Sequence, residues 1–175
     1  MLKIMESSEQ AEVLSEQLRH GFGHYLSQRR GIIGLSLLAA GSMGMIALYQ
    51  TGIIPHLPEP PIPGLNADKV DASAEAYKLL EIPDGILAIG NYTATAALAA
   101  MGGMYRAERQ PWIPLAMAAK IGFDAYQSAR LFINQVTQQK VLCSYCILAD
   151  VMTLASIPLA VPETIAAIKH LIGRK

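Results

Sequence analysis

Gly31 to Ile54 reads GIIGLSLLAAGSMGMIALYQTGII, an uncharged run. At 1.5 Å rise per residue it is long enough, as a helix, to cross a hydrocarbon core of about 30 Å. The whole chain agrees with that reading. Of its 175 residues 52% are hydrophobic and only 16% charged, a balance that suits a lipid-embedded domain better than one surrounded by water.

Working outward, Ile86 to Tyr105 is a second uncharged run, rich in the Gly, Ala and Thr that let helix backbones approach in lipid. Val141 to Val161 is another, holding one charge, Asp150, with Pro158 and Pro162 expected to mark its far end. Between them, Pro111 to Val136 carries Lys120, Asp124 and Arg130, each costing roughly 2.5 to 3.5 kcal/mol at the centre of a bilayer. Lys120, Asp124, Gln127, Arg130 and Asn134 nevertheless recur at helical spacing as one polar stripe. Such a stripe either faces other helices, or its cations snorkel to opposite interfaces. The expected fold is all-α, a four-helix integral membrane bundle over residues 31–162.

Orientation follows from the basic residues. Arg29 and Arg30, Arg106 and Arg109, and Lys169, Arg174 and Lys175 all fall on one side of a four-span path, which the positive-inside rule makes cytoplasmic. Residues 1–30 are expected to form a cytoplasmic amphipathic segment, with a polar helix over 7–28 opened by a capping box at Ser7 to Gln10, and residues 163–175 a basic cytoplasmic tail. No cleavable signal peptide is read, because charges occupy the first thirty positions. Residues 55–83 fall outside as one long loop between spans 1 and 2, with a stiff start, PHLPEPPIPG, and a short helix through Ala74, Tyr77 and Leu80 capped by Asp71 or Ser73. The loop is expected to lie as a lid over the outer mouth of the bundle. Nothing in the chain suits nucleic acid.

The only two cysteines stand in Leu142-Cys143-Ser144-Tyr145-Cys146, where the polar stretch Thr137 to Lys140 gives way to the last apolar run. Positions i and i+3 share a helix face, and the first turn can bend enough to join the sulfurs. The amides and dipole of a helix start favour thiolate, the attacking form. The same spacing also suits half of a zinc site, which needs two more ligands, or two buried thiols without a role. No second cysteine pair exists and the four histidines are distant in sequence, so no metal site is assigned. Cys143 lies nearer the outer face than Cys146 by about 4.5 Å.

These residues, together with Ile82-Pro83-Asp84-Gly85-Ile86-Leu87-Ala88-Ile89-Gly90-Asn91-Tyr92 at the opening of the second span, resemble the bacterial vitamin K epoxide reductase family over roughly residues 31–160. The resemblance implies a membrane bundle around a quinone, in a bacterial inner or thylakoid membrane. Its cysteine pair would pass electrons from small or protein thiols, such as those of a thioredoxin-like partner, to that quinone near the extracytoplasmic face. It implies that Cys146 lies beside the quinone and Cys143 exchanges with the incoming thiol, with Asp84, Tyr145 and Asp150 beside the cofactor. The chain departs from the family pattern twice. Its outer loop lacks the second cysteine pair that relays electrons, and Asp150 stands where some members have a tyrosine. The competing reading is a non-catalytic membrane binding or assembly protein that keeps the bundle.

Overall fold

The structure, a computed structural model, describes residues 2–23 and 25–173. Seven α-helices follow one another among them: α1 (Leu2–His20), α2 (Leu26–Gln50), α3 (Ala67–Asp71), α4 (Asp84–Ala100), α5 (Arg106–Arg109), α6 (Trp112–Asn134) and α7 (Ser144–Gly173). No strand forms among the described residues; one isolated parallel bridge joins Leu65 to Leu142. The long helices α2, α4, α6 and α7 pack together.

Two of the long helices, α2 and α7, are long and apolar enough to cross a membrane. The seam between the helices is made of small residues: Ser36, Ala39, Ser42 and Ala47 on α2, Thr95 and Ala99 on α4, and Ala149, Thr153, Ser156 and Ala160 on α7 are buried. At Gly85 a Cβ would stand 2.9 Å from the Ala47 nitrogen and 3.1 Å from the Met43 oxygen, so α4 meets α2 there at a distance only glycine permits. Larger side chains fill the core as well, among them Ile32, Met43, Ile46, Met117 and Ile121, while many others point outward. Phe123, Tyr126, Phe132 and Ile133 on α6 and Leu148, Val151, Leu154, Val161, Ile165 and Ile168 on α7 are exposed, an apolar coat of the kind that lipid covers.

Several boundaries differ from the sequence expectation. The N-terminal helix starts by Leu2 and stops at His20, so Ser7 falls inside it; the Ser7 side chain lies outside the described residues, as do Arg174 and Lys175. The helix stops before Gly21, where a Cβ would lie 2.4 Å from the Gln17 oxygen, and Gly23 takes a left-handed backbone at φ 87°. Helix α7 does not end at Pro158 or Pro162 but continues to Gly173, making the expected tail helical. Each proline forfeits one backbone donor, yet Glu163 beyond them is anchored by an ion pair, and an apolar face continues through Ile165 and Ile168. In the outer loop, Asn66 caps α3 by accepting a hydrogen bond from the Lys69 amide, at 2.9 Å. The expected helix through Leu80 shrinks to one 3-10 turn, Ala74–Tyr77, because Leu80 and Glu81 adopt left-handed backbone conformations at φ 58° and 57°.

Two of the basic residues from which the sequence reading took an orientation are structural. Arg29 and Arg106 are each only 1% exposed. Arg29 donates to the carbonyls of Ala99, Ala100, Met101, Gly102 and Gly103, and Arg106 to those of Leu98, Ala99 and Met101. Two guanidinium groups therefore satisfy the open C-terminal end of α4, where helix carbonyls lack partners and carry partial negative charge. Helix α4 consequently stops at Ala100, short of the expected Tyr105.

The polar stripe of α6 divides. Lys120 Nζ lies 2.7 Å from both oxygens of buried Asp124, which also accepts from Asn91 Nδ2 at 2.9 Å and from Thr95 Oγ1 at 3.2 Å. Arg130 is exposed. The buried line on α6 runs Met117, Ile121, Asp124, Ser128 and on to Gln135 in the following π-turn, so Arg130 falls off it. Among the described residues, Lys120 and Asp124 thus belong to an internal network.

Candidate redox site at the head of α7

Cys143 is the residue immediately before α7, and its sulfur accepts the Cys146 amide over 3.2 Å. That is N-cap geometry with sulfur as the acceptor. The neighbouring amides are held from elsewhere: Cys143 N–H donates to Gln135 Oε1 at 3.0 Å, and Ser144 N–H to Glu59 Oε1 at 2.9 Å. Gln135 reaches the site because α6 loosens into a π-turn, Gln135–Gln139, which Lys140 ends in a left-handed conformation. Both cysteines are free thiols, Cys143 fully buried and Cys146 partly so.

The outer loop lies on this site. Asn66 N–H donates to the Leu142 carbonyl and Leu142 N–H to the Gly64 carbonyl, each at 2.9 Å, stitching the loop to the strand-like residues before α7. Glu59 bridges two elements, its other oxygen accepting the Ala67 amide at 2.7 Å. Leu57, Ala67 and Val70 pack in the same buried cluster as Cys143, Met43 and Ala149. Deleting His56 to Gly64 removes Glu59 and the Gly64 carbonyl together. The expected result is at least a tenfold faster reaction of Cys143 with maleimide in detergent, with helical content kept; equal rates would show that the loop does not shield it.

Closure of the loop delivers an unexpected residue. Asp71, at the end of α3, is 2% exposed; its Oδ1 lies 3.9 Å from the Cys146 sulfur and its Oδ2 has no hydrogen-bond partner. One carboxylate oxygen and the two sulfurs lie within 4.8 Å of one another. Burial pushes the Asp71 pKa up to about 7; contact with Cys143 pulls against that, and the charges of Asp84 and Glu59 add to it. Asp71 is held by Gln50 at the end of α2, whose Nε2 donates to the Asp71 carbonyl at 3.1 Å and to Asp84 Oδ1 at 2.6 Å, while its Oε1 accepts the Gly85 amide at 3.0 Å.

Of the residues singled out in the sequence, Cys143 and Cys146 lie together on the first turn of α7. Asp84 is drawn towards the pair through Gln50. Asp150 lies one turn past Cys146 but interacts with Ser128 on α6. Tyr145 points into the loop, its hydroxyl donating to the Pro58 carbonyl. Sequence reading gave Asp71 only as a cap; its approach to the pair spans 75 positions of chain and leaves no local pattern. Deeper in the bundle than the cysteines, a narrow crevice of about 10 Å³ is lined by Ser36, Ala39, Tyr92, Asp124, Met152 and Thr153, among others. Thr153 Oγ1 lies 3.4 Å from the Tyr92 hydroxyl.

A helical bundle with apolar flanks and a pair of thiols at a helix start is an arrangement that suits thiol–disulfide chemistry in a membrane. The sequence model of the vitamin K epoxide reductase family matches residues 31–161, and the chain belongs to that family. The family's activity is membrane-embedded thiol–disulfide oxidoreduction coupled to a quinone. Comparisons with curated proteins and with solved structures return no match.

Proposed function

We propose that the chain oxidises thiols at the expense of a membrane quinone, with Cys143 and Cys146 as its redox pair. The observation that carries this reading is the Cys146 amide on the Cys143 sulfur at the start of α7, which keeps both sulfurs on one helical turn. The crevice deeper in the bundle offers Tyr92 and Thr153 as donors suited to a quinone carbonyl and Ala39 and Met152 as apolar walls, and it must widen to admit the ring. A bound quinone would supply a two-electron, two-proton acceptor.

The chain's residues divide the rest of the work. Cys143 exchanges with the incoming thiol, and Cys146, one turn deeper, faces the quinone. Tyr92 donates to a quinone oxygen; Asp84 and Asp150 flank the site and donate only as neutral acids. Tyr145 holds the lid in the closed state, and a quinone contact requires its bond to Pro58 to open. Because residues 55–83 contain no cysteine, a thioredoxin-like protein or small thiol attacks Cys143 directly once the lid lifts. In this reading the chain crosses a bacterial inner or thylakoid membrane four times with this face outside the cytoplasm, which the basic residues at the other end of the bundle support. The closed lid and absent loop cysteines favour, as a second reading, a non-catalytic assembly protein.

The two readings differ in what the serine variants do. Cys146→Ser is expected to accumulate a mixed disulfide between Cys143 and a thioredoxin-like protein, seen on non-reducing gels, whereas Cys143→Ser gives none. Trapping by Cys143→Ser would reverse the two roles, and no adduct with either variant would support the non-catalytic reading.

A further inference from the structure

We infer that Asp71 is the proton acceptor and donor of the redox pair, a catalytic carboxylate carried on the outer loop and delivered when the loop closes. The inference rests on the redox reading above and adds to it the group that moves the proton.

The geometry is specific. The Cys146 thiol is the donor to Asp71 Oδ1 at 3.9 Å, a hydrogen-bonding distance for sulfur, and Oδ2 is buried with no partner. A buried carboxylate oxygen without a partner is costly to keep, which marks this position as serving something other than stability. The backbone around it is fixed by Gln50, so the carboxylate is aimed rather than drifting. The groups that face it are Cys143 and Cys146 from α7, Asp84 from α4, Tyr49 from α2 and Glu59 from the loop; the two further carboxylates keep it ready to take up a proton. An acid–base group works best when it titrates near the working pH, which is where burial puts Asp71.

In the oxidising half, the S–H bonds of Cys143 and Cys146 break and the Cys143–Cys146 bond forms. A bound quinone would take up the two electrons and two protons, and the Cys146 proton leaves by way of the Asp71 carboxylate as its S–H bond breaks. In the reducing half, a thiolate from the partner attacks the Cys143 sulfur, the Cys143–Cys146 bond breaks, and Cys146 leaves with the proton held by Asp71. The partner's second thiol then displaces Cys143 and restores the dithiol.

A quinone-free experiment separates this inference from the redox reading. Reduced protein in detergent is alkylated with iodoacetamide from pH 5 to 9, and modification of Cys146 is read by peptide mass spectrometry. The wild-type rate should rise in a step near pH 7, as Asp71 becomes ionised and able to accept the proton. Asp71→Asn should lack that step and react about tenfold more slowly at pH 8, and Asp71→Glu should restore part of it. Superimposable profiles for wild type and Asp71→Asn would overturn the inference while leaving the quinone reading untouched. If Asp71→Asn does not fold, the wild-type and Asp71→Glu profiles still decide: an absent step near pH 7 in both overturns it.

Discussion

Glu163→Ala is expected to destabilise the protein by about 3 to 5 kcal/mol, the usual cost of removing one partner from a fully buried ion pair. Arg106 Nε and Nη2 meet the two Glu163 oxygens at 2.7 Å each, a bidentate pair, with side chains 0% and 1% exposed. Arg106 is simultaneously fastened to three carbonyls at the end of α4. Removing the carboxylate leaves a buried cation beside Arg29 and releases α7 from α4 and α5. A fall of about 10 °C or more in the melting temperature in detergent is the expected reading. Glu163→Gln, which preserves shape and one acceptor, should fall less, and an unchanged midpoint in Glu163→Ala would show that Arg106 and Arg29 do not hold the bundle.

The second large effect is on chemistry. Cys143→Ser and Cys146→Ser should each lower quinone-dependent thiol oxidation by roughly a thousandfold or more, because neither half of a disulfide cycle survives the loss of one sulfur. The double variant should be no worse than either single one, since the two sulfurs act as a unit. The assay is quinone reduction by purified protein supplied with a dithiol. Additive losses would mean that the cysteines act independently.

How much of this was legible in the sequence depends on whether a feature is local. The apolar runs at Gly31 to Ile54 and Val141 to Val161 revealed α2 and α7, because an uncharged stretch of that length has few alternatives. The Leu-Cys-x-Tyr-Cys stretch likewise pointed to the candidate pair at the head of α7, since its geometry follows from spacing on one helix turn. Pro158 and Pro162 misled, because what holds α7 together beyond them is Glu163, whose partner Arg106 lies on another helix. The arginines at the span ends were read for their charge side alone, and their second use as caps of α4 depends on how helices meet. Asp71 was least legible: it reaches Cys146 only because Asn66 and Gly64 pair with Leu142, a contact between distant segments that no period or composition records.

The central claim is that Cys143 and Cys146 exchange electrons with a quinone, and a single turnover tests it most directly. Fully reduced wild-type protein is mixed anaerobically with excess menadione. The disulfide between the two cysteines is counted by mass spectrometry and the hydroquinone by absorbance. The expected result is one Cys143–Cys146 disulfide formed per hydroquinone, with neither product from the double-serine variant. Reduced cysteines persisting in the wild type, or hydroquinone appearing at the same rate with the double-serine variant, would contradict the account.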